Sequence, residues 1–250
     1  MIVAVLAFGL AGLLIGSFLN VVAWRLPRGE SLMYPGSACP ACRTPIKPYD
    51  NVPVVSWLLL RGRCRHCGVR ISGRYPAVEF ATAALYIAVA LGRDGVLDIA
   101  LGLLLVTVLV PIALIDLDRR IIPNAITLPA AVAAVIAAAV IDIHFVPEQL
   151  IAGLAAGGFF LLAAVLHPRG MGMGDVKLAG VLGLYLGRAV APAIFVALIA
   201  GVLVGALVIA RKGAAEGRKT AVPFGPFLAL GGIVALFVGE MLVDGYLERF

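Results

Sequence analysis

The sequence predicts an all-α, polytopic membrane protein with about eight transmembrane helices and a small cysteine-containing module between the first two. Three observations predict this class. Of the 250 residues, 62% are hydrophobic and only 14% are charged, whereas soluble domains carry about 25% charged residues. Apolar stretches of about 17–25 residues, long enough to cross a bilayer, recur along the chain. All four cysteines fall in one polar segment between two such stretches.

The expected spans follow the apolar stretches in order. The first is expected to be a retained span, because no basic residue precedes it and it ends at an interfacial Trp24 followed by Arg25. The sixth is short, and the glycines at 157–158 and 170–174 predict broken helices near it. We place membrane helices at about 2–24, 77–92, 97–117, 125–142, 148–167, 175–187, 190–210 and 222–244.

Basic residues predict the orientation in the membrane. With the N-terminus outside, the cytoplasmic segments are 25–76, 118–124, 168–177 and 211–221. They hold nine, two, two and four of the twenty Lys and Arg residues, so seventeen lie on one side, as the positive-inside rule requires. The net charge of +6 is therefore assigned to topology and anionic lipid rather than to nucleic acid.

Two aspartates lie at the ends of apolar runs. Asp116 occurs in the stretch 113–124 (ALIDLDRRIIPN), and Asp175 occurs in 170–177 (GMGMGDVK). A carboxylate at a membrane edge is costly, which makes it a functional-site hypothesis by default. Two adjacent carboxyls share one proton, so the ionised member can activate water while the protonated member polarises a carbonyl. The pair therefore predicts an aspartic peptidase that acts on a membrane-bound substrate.

Other interpretations of these acids stay open. Asp118 lies two residues after Asp116 and so on another face of the helix. Because it adjoins two arginines, it is expected to be solvated, and Asp116 is favoured. Asp175 follows Gly174 and is also a good helix cap, a role compatible with catalysis. Transporters likewise place acids on broken helices, and a zinc-dependent scaffold without catalysis is a third alternative.

The four cysteines form two C-x-x-C pairs within 25–76. Four thiolates at this spacing predict a tetrahedral structural zinc site. Two disulfides or four unrelated thiols are the alternatives, and a reducing compartment argues against disulfides. Arg63 and Arg65 are expected to favour thiolates, and His66 is expected to be a bystander. The predicted metal ligands are Cys39, Cys42, Cys64 and Cys67.

In this order and spacing, the motifs resemble those of bacterial type IV prepilin peptidases, which are G-x-G-D intramembrane aspartic proteases. The resemblance covers nearly the whole chain. One departure is Asn124, at a position where the family commonly carries Asp. Besides both aspartate motifs and the cysteine pairs, the resemblance rests on 16–22 (GSFLNVV), 35–37 (PGS), 50–53 (DNVP), 56–58 (SWL), 72–79 (SGRYPAVE) and 223–226 (PFGP).

The resemblance implies a bifunctional enzyme of the bacterial cytoplasmic (inner) membrane. A member removes the short basic leader of type IV prepilins and pseudopilins after a glycine, at the cytoplasmic membrane face. It then methylates the new N-terminal amine, usually of Phe, with S-adenosylmethionine as methyl donor. A peptidase without methyltransferase activity is the nearest alternative.

The resemblance also implies a division of labour along the chain. Asp116 and Asp175 are the implied catalytic residues. Glu79 is either part of the methyl-transfer site, as a cofactor-binding candidate, or a charge at the lipid interface. The expected domains are a first span (1–24), a cytoplasmic zinc module associated with methyl transfer (25–76), and a transmembrane aspartic peptidase domain (77–250).

Overall fold

The computed structural model describes residues 2–167, 171–213 and 222–249. Gly170 of the second aspartate motif and the predicted cytoplasmic cations Arg169, Arg218 and Lys219 lie outside the described residues. In the described ranges the chain is helical, with two isolated antiparallel bridges and no β-strand. The helices are α1 (Ile2–Arg25), α2 (Val55–Leu59), α3 (Arg74–Gly92), α4 (Val96–Arg119), α5 (Asn124–Ile141), α6 (Val146–Leu166), α7 (Met173–Leu186), α8 (Val190–Lys212) and α9 (Gly225–Leu247).

Eight of these helices coincide with the predicted spans, with ends within three residues of the predicted ones. By length and composition, seven described segments are able to cross a membrane. The difference arises because α7, a 3-10 turn (Gly187–Ala189) and α8 form one segment of 40 residues. The chain is therefore a multi-pass membrane protein. The helix α7, with 14 residues, corresponds to the predicted short sixth span.

The predicted break at Gly157 and Gly158 is wrong, because α6 continues through both residues. The glycines of α6 instead allow a close approach to α7. A Cβ added at Gly153 would lie 3.2 Å from the carbonyl oxygen of Gly180, and one at Gly157 would lie 3.6 Å from the Gly180 Cα. Small residues at such crossings let membrane helices pack closely, so here glycine serves packing.

The described chain forms two compact units, Met1–Gly92 and Arg93–Phe250. In the first unit α1 packs along α3. Asn20 of α1 donates from Nδ2 to the Tyr75 carbonyl of α3 at 3.1 Å. The units follow packing, whereas the predicted division 1–24, 25–76 and 77–250 follows membrane topology and stays a prediction.

In the second unit, α4 packs against α5, α7 and α9. Leu105, Leu109 and Ile112 recur every three or four residues along α4 and are fully buried. The same helix carries Asp116 in its last turn. As a result, the C-terminal end of α4 meets the N-terminal turns of α7 and α9, where the acidic site lies.

Candidate active site and metal centre

Asp116 is buried, with 5% of its surface exposed. The helix that carries it ends at Arg119, and Arg120 adopts the left-handed conformation (φ 56°, ψ 43°). The backbone N–H of Arg120 donates to the Asp116 carbonyl at 2.9 Å, which closes the last turn. Asp118 is exposed. The two acids therefore lie on different faces of α4, as their spacing predicts.

The Asp116 carboxylate accepts a hydrogen bond from a helix N-terminus. The backbone N–H of Gly225, the first residue of α9, donates to Asp116 Oδ2 at 2.9 Å. N–H groups of a first helical turn have no partner in their own helix, and the helix dipole favours negative charge there. A Cβ at Gly225 would lie 2.7 Å from Oδ2 and 3.1 Å from Cγ of Asp116. The contact therefore requires glycine.

Aromatic packing holds this end of α9. Phe224 precedes Gly225, and its ring centroid lies 6.0 Å from the centroids of both Phe160 and Phe227. Phe160 belongs to α6 and is fully buried. In the sequence analysis, the PFGP motif was included in the resemblance but was given no role. A glycine followed by a proline indicates that a helix begins there, but it does not identify Asp116 as the acid that Gly225 contacts.

Asp175 is the third residue of α7. Its Oδ2 accepts from the N–H of Gly172 at 3.3 Å, so it contributes to capping its own helix. The N-cap residue itself is Gly172, not Asp175 as its position after Gly174 had suggested. Gly174 packs closely on the chain that follows α4, where an added Cβ would lie 3.0 Å from Cβ of Ile122. This close contact positions the first turn of α7 near the end of α4.

The helices that carry the two predicted acids pack against each other. Asp116 lies in the last turn of α4, and Asp175 lies in the first turn of α7. Lys177 Nζ donates to Asn124 Oδ1 at 2.9 Å and so links the N-terminal parts of α7 and α5. Asn124 therefore keeps an acceptor for this lysine although it lacks the charge of Asp. This contact was missed in the sequence analysis, where Lys177 was counted only among the cations of the cytoplasmic segment 168–177.

The four predicted metal ligands also come together. Their Sγ atoms all lie within 4.8 Å of one another, and Cys39 Sγ lies 3.8 Å from Cys67 Sγ. A tetrahedral zinc site with Zn–S bonds of about 2.3 Å needs sulfur atoms about 3.8 Å apart. The cysteines are free thiols rather than disulfides. The residues present therefore fit zinc, and the disulfide alternative does not fit this structure.

Each C-x-x-C pair is folded in the same way. The residue after each pair, Arg43 or Gly68, has a positive φ of 57° or 71°. Its N–H donates to the carbonyl of the first cysteine of its pair, Cys39 or Cys64, at 2.9 Å in both cases. An antiparallel bridge closes each turn. Two equivalent turns thus present two thiols each to one point.

Hydrogen bonds, rather than the expected arginines, favour the thiolates of Cys42 and Cys64. Bonds from the Thr44 side chain and backbone lower the pKa of the Cys42 thiol to about 6. Backbone bonds from Cys67 and His66 lower the pKa of Cys64. At Cys67 a backbone bond from Val69 lowers the pKa, but desolvation and the neighbouring thiols outweigh it and raise that pKa to about 11. Arg65 binds Asp50 instead, with contacts of 2.8 Å and 2.7 Å, and holds the pKa of that carboxyl below its ordinary value. The role predicted for Arg65 is therefore wrong.

Glu79 lies inside the first unit. It is 8% exposed, and its Oε2 accepts from the Val54 N–H at 2.7 Å. The Ser17 side chain of α1 hydrogen-bonds the same carboxylate. The low exposure of Glu79 and these two contacts favour a role inside the protein over a charge at the lipid interface.

The multi-pass fold and the two acids at packed helix ends are the features expected of a membrane-embedded peptidase, and the chain also contains a tetracysteine module. Comparison with known families agrees. Residues 10–92 match the bacterial peptidase A24 N-terminal domain, and residues 103–209 match the type IV leader peptidase family. The chain belongs to the type IV leader peptidase family, which confirms the resemblance inferred from its motifs.

Curated relatives are similar over most of their length. A prepilin leader peptidase/N-methyltransferase of Aeromonas hydrophila is 35% identical, over 96% of this chain and 93% of the relative. Proteins of the same name from Neisseria gonorrhoeae and Bacillus subtilis are 39% and 34% identical. Those matches cover 88% and 95% of this chain, and 86% and 95% of the relatives. No solved structure matches the chain significantly.

Proposed function

We propose that this chain is a prepilin leader peptidase and N-methyltransferase whose peptidase site is the pair Asp116 and Asp175. Its family and relatives support both activities and do not favour a membrane transporter. The observation that supports the site is that both carboxylates lie at the ends of packed helices, where Gly225 N–H donates to Asp116 and Gly172 N–H donates to Asp175. These amides fix the orientation of each carboxylate before a substrate arrives.

The proposed cleavage needs one proton shared by the pair. The ionised carboxylate removes a proton from water, and the resulting hydroxide attacks the carbonyl carbon of the scissile glycine. The protonated carboxyl donates to the carbonyl oxygen and stabilises the negative charge that develops there. A proton then passes to the leaving nitrogen as the C–N bond breaks. The pair titrates as a unit, so neither Asp116 nor Asp175 is assigned one role alone.

The substrates and the methyl donor follow from the same proposal. The substrates are type IV prepilins or pseudopilins, and the methyl donor is S-adenosylmethionine. Incubating purified protein in detergent with a prepilin and the donor is expected to give a mature chain one methyl group heavier, as read by mass spectrometry. A mature but unmethylated N-terminus would mean a peptidase alone, and an uncleaved prepilin would contradict the proposal.

Zinc is proposed as the structural metal of the tetracysteine module. We expect one zinc per chain in protein purified without chelators, measured by elemental analysis. Cys39→Ser or Cys67→Ser should lose the metal and speed hydrogen exchange across 25–76, because metal binding supplies folding energy to so small a module. Methylation should fall before cleavage, since the aspartates lie in other helices.

A neighbouring residue supplies the control for the zinc experiment. His66→Ala should keep its zinc, because His66 is exposed and lies outside the cluster of four thiols. Wild-type protein without zinc would contradict the metal assignment. Equal loss of zinc in His66→Ala and Cys67→Ser would contradict the four-thiol ligand set.

The proposed location is the bacterial inner membrane, with the acidic pair at the cytoplasmic face. The basic segments support this orientation through the positive-inside rule. An impermeant thiol reagent applied outside intact cells should label Asp94→Cys and His144→Cys but not Arg119→Cys or Gly217→Cys. The position of Gly217 lies outside the described residues. Outside labelling at Arg119→Cys, without labelling at Asp94→Cys, would reverse the orientation.

A further inference from the structure

One carboxylate of the first unit is left without a role in cleavage or zinc binding. This unit contains three acidic residues, Glu30, Asp50 and Glu79. Glu30 is exposed, and Asp50 is neutralised by Arg65. Glu79 is buried, and both of the partners described above are neutral, a backbone amide and a serine hydroxyl. A buried carboxylate with neutral partners is costly to keep, and such groups are found where charge is used.

Two features of the backbone build the surroundings of Glu79. Gly16 lets α1 approach α3 closely, because a Cβ there would lie 2.8 Å from the Glu79 Cα. The next residue, Ser17, thereby reaches the carboxylate. From the other side, Val54 points its N–H at Oε2 from a strained backbone with φ 60° and ψ −50°. Positive φ is rare for a β-branched residue, and such strain concentrates at functional sites.

The segment that carries Val54 is tied to the second cysteine pair. Asp50 pairs with Arg65, which lies between Cys64 and Cys67. Trp57 Nε1, three residues after Val54, donates to the Ile71 carbonyl at 3.1 Å. The thiol cluster and the Val54 amide are therefore fixed relative to each other, so loss of the metal is expected to disturb the surroundings of Glu79.

We propose that Glu79 binds the ammonium group of the newly exposed substrate N-terminus and accepts its proton before methyl transfer. This inference rests on the proposed function and assigns the amine-binding residue of the second activity. The two neutral donors supply hydrogen bonds but no positive charge, so the ionised form of the carboxylate has no counter-ion among them. Because no cation of the protein is among those partners, the incoming ammonium would complete the pair.

The step balances in atoms, charge and electrons. The substrate ammonium gives one proton to the Glu79 carboxylate and becomes a neutral amine. The amine lone pair attacks the methyl carbon of the sulfonium donor, so an N–C bond forms as the C–S bond breaks. The electron pair of the broken bond stays on sulfur, which becomes a neutral thioether. The product is an N-methylammonium, which carries the positive charge formerly on sulfur.

The test uses Glu79→Gln in the full-length, zinc-loaded protein. Gln keeps a carbonyl that accepts from Val54 N–H and Ser17, but it carries no charge and removes no proton. Methylation of a pre-cleaved pilin peptide should fall by about a hundredfold or more. Leader cleavage and zinc content should stay at the wild-type level. Glu30→Gln is the matched control and should change none of these quantities.

Competition between two peptides gives a measure of relative binding that does not depend on the absolute rate of methylation. Against wild type, the free-amine peptide should inhibit methylation about tenfold more strongly than its N-acetylated form, because acetylation removes the charge that Glu79 binds. For Glu79→Gln the residual methylation is followed with excess enzyme. The two peptides should inhibit this residual methylation equally. Loss of this difference is not expected from a purely structural role of Glu79.

Four results would overturn the inference. The first is wild-type methylation by Glu79→Gln, and the second is a surviving tenfold preference for the free amine. The third is a raised KM for S-adenosylmethionine with that preference intact, which would mean that Glu79 binds the amino group of the donor. The fourth is joint loss of zinc and cleavage, which would make Glu79 structural. Wild-type protein that neither cleaves nor methylates would instead refute the proposed function itself.

Discussion

Replacing either Asp116 or Asp175 with Asn is expected to abolish leader cleavage, with a fall of at least about a thousandfold. Asn matches Asp in size and still accepts the N–H of Gly225 or Gly172, so the helix ends should stay in place. It neither removes a proton from water nor supplies the shared proton. Cleavage of a purified prepilin in detergent, followed by mass spectrometry, measures the effect.

Asp118→Asn is the matched control for that prediction. Asp118 lies two residues away on the exposed face of α4, and its substitution should retain most of the cleavage activity. All three variants should remain folded, membrane-inserted and zinc-loaded. Both inactive variants should still methylate a pre-cleaved substrate if the two activities use separate sites. Full cleavage by Asp175→Asn together with an inactive Asp118→Asn would overturn the assignment.

Gly225→Ala is expected to lower the cleavage rate by about a hundredfold or more, although Gly225 has no side chain to take part. The added methyl group would lie 2.7 Å from Asp116 Oδ2, so either the carboxylate or the start of α9 must move. A displacement of about 1 Å at a catalytic group costs about two orders of magnitude in rate. The KM for prepilin should change little, because the substitution acts on the carboxylate.

A second glycine of α9 controls for helix effects. Gly245 has open space where a Cβ would be placed, so Gly245→Ala should leave cleavage unchanged. Alanine is the better helix former, so a loss of activity in Gly225→Ala alone would not reflect a weakened helix. Wild-type cleavage by Gly225→Ala would mean that the contact between α9 and Asp116 is dispensable.

The helices were predictable because membrane spans give a strong local signal. Runs of apolar residues fix where a helix lies, and each predicted span coincides with a helix whose ends lie within three residues of the expected ones. The eight predicted spans correspond to seven segments able to cross a membrane, because α7 and α8 belong to one of them. The error at 157–158 arose because glycine was interpreted as a helix breaker. In α6 the glycines instead meet the backbone of α7, a contact that is invisible until both helices are placed.

The members of the sites were predictable to different degrees. Each cysteine pair is recognisable from its short C-x-x-C spacing in the sequence, and the four thiols come together as expected. The partner of Asp116 and the contact between Lys177 and Asn124 could not be predicted, because the two residues of each contact lie far apart along the chain. Gly225 is 109 residues from Asp116, and Asn124 is 53 residues from Lys177. No local pattern encodes such contacts, so the structure was needed to find them.

The central claim is that Asp116 and Asp175 act as one unit, and the residual cleavage rate of Asp116→Asn/Asp175→Asn tests it most directly. All rates should be measured with excess enzyme over one prepilin and one detergent. When two residues share one proton, replacing either one already removes their joint function. The double variant should therefore cleave no more slowly than either single variant. A double variant slower than each single variant by the product of their separate effects would show that the two carboxylates act independently and would contradict the account.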